Sequence, residues 1–186
     1  MGPPPSRLLI EQARAVVELF RDVERHFQDP RGPSTGDAKV HAESAAAAAT
    51  TLEAALEDAG APPGFRKRVF LISRALGRFA ASGRSLALEA ERYGVSDDPR
   101  LEELAHEIRR SAEELAESVE RLAAPHAFAA LRAAGRAEHL RRGATRELGE
   151  EPRVVVAIKL RGLHRRFADA AIHAAEAADL LSEALS

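Results

Sequence analysis

Apolar residues recur along most of this chain in alternating steps of three and four. The first series runs Leu9, Ala13, Val16, Phe20, Val23 and Phe27. Another runs Val69, Ile72, Leu76, Phe79, Gly83, Leu86, Ala90 and Tyr93, and a third Leu101, Leu104, Ile108, Ala112, Leu115, Val119 and Leu122. The last is Leu160, Leu163, Phe167, Ala170, Ala174, Ala177 and Leu181. Such spacing draws a stripe along one side of a helix and predicts that the stripes face one another in a left-handed bundle.

The breakers agree with the periods. Pro99, Pro125 and Pro152 stand where a first helical residue belongs, and Asp98 is suited to cap the fourth helix. Gly60, Gly94 and Gly149 stand where a left-handed residue would end the preceding helix. Loops are expected at Asp29–Gly36 and Ala59–Gly64. The pattern predicts six antiparallel helices, approximately over 6–28, 37–58, 65–93, 99–123, 125–148 and 152–185, and no strand; Val154, Val155 and Val156 fall inside a helical period. The turn from Gly94 to Pro99 divides one domain, 1–186, into helices 1–3 (about 6–93) and helices 4–6 (about 99–185), read as two three-helix bundles side by side.

Composition narrows the function classes. With 186 residues, 45% hydrophobic and 30% charged, the chain is long enough to bury a substantial core. Aromatics are only 4%, so that core is built mainly from Leu, Val and Ala. A formal charge of −2 gives no general reason to bind nucleic acid. The absence of Cys removes disulfide and thiolate chemistry, and no run of about eighteen apolar residues is present, so a cytoplasmic location is expected. There is no G-x-S-x-G, no phosphate-cradling glycine loop and no activated nucleophile, so an enzyme is not expected.

A few residues carry candidate chemistry. Glu103 and His106 match the E-x-x-H of di-iron bundles, but the motif occurs once where such sites need two, and the pair reads as surface. His173 and Glu176 read as solvated. His164 shares a small-residue face with Ala168, Ala171 and Ala175, about a quarter-turn from the main stripe of its helix. It reads as packed inside or at the rim of the bundle, with metal ligation the alternative, and His41 is placed opposite it. Arg66, Lys67 and Arg68 form a basic cluster at a helix start, where cations oppose the helix dipole, and mark a contact with an acidic partner or an anionic membrane surface.

The order of elements resembles the PhoU-like phosphate-transport regulators, in particular the Pit accessory branch associated with Pit-type phosphate permeases. The resemblance rests on LLIEQARAVVELFRDVE, KVHAESAAAAATTLEAALED, PPGFRKRVFLISRAL with LALEAERYGV, and the closing LHRRFADAAIHAAEAADLL. It implies two three-helix bundles, a homodimer or higher oligomer, and a non-enzymatic accessory protein of a Pit-type permease, peripheral at the inner face of the membrane. Family members hold metal ions through E/D-x-x-x-D motifs, whose i, i+4 carboxylates point the same way from adjacent turns. At the matching positions this chain has His164 and Ala168, His41 and Ala45, and Glu138 with Arg142. Where the family has an acidic stretch at the start of helix three, it has Arg66, Lys67 and Arg68. These departures imply no metal or other cofactor, and make the basic cluster the candidate partner contact. The alternatives are a metal-binding bundle using His41, Glu138 and His164, and an oligomeric scaffold.

Overall fold

The computed structural model describes residues 4–29, 36–58, 60, 62–94, 98–122 and 154–185. Among them are five helices and no strand: α1 (Pro5–Gln28), α2 (Gly36–Asp58), α3 (Pro63–Tyr93), α4 (Pro99–Glu120) and α5 (Val154–Leu185). The helix expected over 125–148 lies outside the described residues, as do Pro125, Gly149 and Pro152. No described helix is long and apolar enough to cross a membrane.

Local chemistry sets the ends. α1, α3 and α4 each start with proline in the first turn, where the missing N–H has no partner to lose. The Asp98 side chain accepts a hydrogen bond from the Arg100 backbone N–H at 2.9 Å and so caps α4. Gly94 closes α3 with φ of 58°, a left-handed conformation that lets its N–H reach the Ala90 carbonyl.

α1 and α3 form the centre. α1 packs on α2, α3 and α4, whereas α3 packs on α1, α2 and α5; α4 and α5 close the ring, and α2 touches neither of them. Contacts give the directions. Arg14 meets Glu120 and Arg21 meets Glu113, so α1 and α4 are antiparallel. Arg78 meets Glu176 and Glu89 meets Arg166, so α3 and α5 are antiparallel as well. Gln12 meets Ser73 and Phe20 meets Phe79, so α1 and α3 run parallel.

Of the four apolar stripes every residue is buried except Tyr93 and Leu122, which are half-buried at the ends of α3 and α4. Phe20 and Phe79 stack with ring centroids 4.4 Å apart, and Phe27 meets Phe167 at 5.6 Å across the ring of helices. Gly83 is what lets α3 approach α1 this closely: a Cβ there would lie 2.8 Å from Phe20 Cζ and 2.9 Å from Leu19 Cδ2.

Candidate functional site

The described residues bring two charged clusters together at one end of the molecule. α2 finishes on Glu53, Glu57 and Asp58, and the chain turns through Gly60, whose φ is 58°. α3 then begins at Pro63 and exposes Lys67 and Arg68, with Arg66 half-buried. Both clusters have the wrong sign for their helix ends. A helix C-terminus carries partial negative charge and an N-terminus partial positive charge, so each cluster is repelled by its own backbone. α2 has no basic residue in its last turn and α3 no acidic residue in its first.

Glu53, Leu56 and Glu57 of α2 and Pro63, Arg66, Lys67 and Phe70 of α3 line a groove of about 330 Å³. Its floor is apolar and its walls carry opposite charge. Among the described residues no ion pair crosses it. The Arg74 guanidinium lies over the Phe70 ring, 5.6 Å from its centroid. Phe65 is seven residues before Ile72 and shares its side of α3, yet it is 44% exposed because the core stops short of this end. Leu71 is exposed nearby. Aromatic, aliphatic and cationic side chains thus share a surface that the rest of the described fold leaves uncovered.

The histidines fall into separate environments. His164 is 5% exposed on α5, as its small-residue face predicts, and its charge acts on Asp98. Burial alone would push the Asp98 carboxyl up; the Arg100 hydrogen bonds, with the Arg100 and His164 charges, hold it below the usual carboxylate range. His41 does not sit opposite His164, because α2 and α5 make no contact. Its Nε2 lies instead 3.5 Å from Asp22 Oδ2 on α1. Burial raises the Asp22 pKa against the opposing pull of Arg25 and His41. Ala45 is fully buried and Ala168 half-buried, so both serve close helix packing. Glu138 and Arg142 lie outside the described residues. Among the described residues no group of three His, Cys, Asp or Glu side chains converges in an arrangement able to hold a metal.

Other polar residues read as surface turn out to join helices. His106 Nδ1 lies 2.7 Å from Glu24 Oε1 on α1, although Glu103 is exposed. His173 Nδ1 is 2.7 Å from Ser82 Oγ, and Glu176 pairs with Arg78, so both residues fasten α5 to α3. The periodicity also passed over buried polar groups, Glu24 and Gln12 among them. Glu24 is held by His106 and Arg109. Gln12 donates to the Ser73 carbonyl at 2.8 Å while the Ser73 hydroxyl donates back to its Oε1, also at 2.8 Å. A signal for Gln12 was present: it stands three residues after Leu9 and four before Val16, on the stripe itself.

Comparison with known proteins finds no match: no family model, no curated protein and no solved structure matches the chain.

Proposed function

We propose that this protein is a non-enzymatic accessory or regulatory protein that acts by protein–protein contact through the exposed start of α3. The observation that carries the reading is the cluster Arg66, Lys67 and Arg68 beside exposed Phe65 and Leu71. A cation cluster placed against its own helix dipole, with no described acid paired to it, is costly to the isolated chain. An acidic partner would relieve that cost, and aromatic and Arg side chains are the groups that anchor such contacts.

The partner is assigned by resemblance as a Pit-type phosphate permease, met at the cytoplasmic face of the membrane. The PhoU-like arrangement belongs to the same reading. α1, α2 and α3 form one trio, while α4 and α5 belong to the second. In that reading α1 and α3 of the first set pack on α4 and α5 of the second, respectively. No specific observation favours the metal-binding alternative, since His41 and His164 sit on helices that do not touch.

The test is co-purification with a co-expressed Pit-type permease. The native chain is expected to be retained, and the variant with Arg66→Glu, Lys67→Glu and Arg68→Glu is expected to be lost. Retention of both forms alike would overturn the assigned surface, and retention of neither would overturn the partner.

A further inference from the structure

We infer that the outer face shared by α3 and α5 binds an acidic amphipathic helix of another protein, laid along the groove between them. Every arginine of α1 and of α4 is paired with a carboxylate of this chain. The α3–α5 face is different. Arg84 and Arg92 of α3 and Arg161 and Arg165 of α5 are exposed there and, among the described residues, meet no acid. The acids on that side do not offset them, because Glu89 and Asp169 are engaged by Arg166, and Glu176 by Arg78. The face therefore carries positive charge that the chain itself leaves unanswered.

The apolar positions give the partner its shape. On α5, Ile158, Arg165 and Ile172 recur every seven residues and so share one side of the helix, and the two isoleucines are 63% and 43% exposed. On α3, Leu88 is 48% exposed and stands seven residues after Ala81, with Arg84 and Arg92 four residues before and after it. Between the two rows runs a groove of about 230 Å³ whose α3 side includes the small residues Ala81, Ser82 and Ser85. Small residues let a third backbone come close, while aliphatic and arginine side chains stand on either side. In such a helix-in-groove contact the partner's apolar stripe lies over the groove and its flanking acids reach the arginines. An RNA backbone would satisfy the arginines but leave Leu88, Ile158 and Ile172 uncovered. A flat anionic lipid surface would rest on the two rows and leave the groove unfilled.

This surface is separate from the start of α3 and is tested without the permease. The probe is a fluorescein-labelled helical peptide of about three heptads, with leucine at its core positions and glutamate beside them. The control peptide has lysine for each glutamate. In fluorescence anisotropy at about 0.1 M salt, where near charges are still felt, the full chain is expected to bind the acidic peptide and not the basic one. Arg84→Glu with Arg161→Glu and Arg165→Glu should weaken that binding at least about tenfold, and so should Leu88→Ser with Ile172→Ser. These positions are exposed, so both variants should keep the native helicity by circular dichroism. Arg66→Glu with Lys67→Glu and Arg68→Glu should leave peptide binding unchanged. No binding by the native chain, equal binding by either groove variant, or loss of binding in the α3-start variant would each overturn the inference. So would oligouridylate RNA or phosphatidylglycerol vesicles that bind through the same arginines more tightly than the peptide does, or a native chain that self-associates until those arginines are reversed. The arginine-reversed groove variant keeps Arg66, Lys67 and Arg68 and is expected to retain the permease as the native chain does. The two contacts can therefore fail separately.

Discussion

The two seams that α1 makes with α3 and with α4 are built on different physics. Against α3 the contact is dry and close. Phe20 stacks on Phe79, Gly83 removes the side chain that would hold the backbones apart, and the polar pair Gln12–Ser73 satisfies itself with two reciprocal hydrogen bonds. Against α4 the apolar stripes meet as well, but a ladder of charge runs beside them. Glu24 is gripped by His106 and Arg109, Arg109 continues to Glu113 at 2.6 Å, and Glu113 to Arg21 at 3.1 Å. At the far end Arg14 reaches Glu120. The dry seam sets how near the helices come. The ladder sets which helix α1 accepts and in which direction, because reversing α4 would place like charges opposite one another.

Substitutions on the two seams should therefore differ in size. Phe20→Ala leaves a cavity against Phe79 and Gly83 that a close-packed seam cannot collapse to fill. It should cost about 3–5 kcal/mol in urea unfolding, and a loss below about 1 kcal/mol would mean that the seam is loosely packed. Gln12→Ala takes the partner from the buried Ser73 hydroxyl and the second donor from the Ser73 carbonyl, and should cost about 1–3 kcal/mol. Adding Ser73→Ala to it should cost less than the sum of the two single changes, because the pair is satisfied only by itself; strict additivity in the double-mutant cycle would show that the two bonds are not coupled.

Glu113→Gln on the ladder should have the smallest effect, below about 1 kcal/mol near neutral pH, because the pair is largely solvated. Its signature is in the pH dependence. Burial alone would raise the Glu113 pKa, but hydrogen bonds from Arg21 and Arg109, with their charges, hold it below its ordinary value of 4.5. A carboxyl lowered on folding contributes stability that is present above the unfolded value. That stability is lost as pH falls through the lower, folded one. The native chain should lose it below about pH 4.5, and Glu113→Gln should flatten that limb of the stability curve. An unchanged limb would remove Glu113 from the ladder.

Much of this molecule is legible from the spacing of its apolar residues. The α1, α3, α4 and α5 stripes and the ends at Asp98 and Gly94 are local properties, set by helical geometry and by the conformations that proline and glycine permit. The basic cluster of the candidate site was legible for the same reason, as a run of like charge at a helix start. The groove was not legible, because it depends on α2 ending where α3 begins and on two acids four residues apart facing that start. Glu24 was passed over, and His106 and His173 were read as surface, for a related reason; Glu176 is exposed as expected, although it pairs with Arg78. Whether a polar residue beside a stripe meets water or another helix depends on how many neighbours its helix has, and α1, with three, buries more of its circumference than one stripe requires.

The chain alone determined that it folds as amphipathic helices, where most of them stop, and that no thiol chemistry is available to it. Those properties follow from interactions within a few residues of sequence. Only the tertiary structure decided that His41 faces Asp22 rather than His164, that Glu24 and Gln12 are satisfied across helix seams, and that two charge clusters share a groove. Each of these depends on which helix lies beside which, and charge and shape settle that choice between residues remote in sequence.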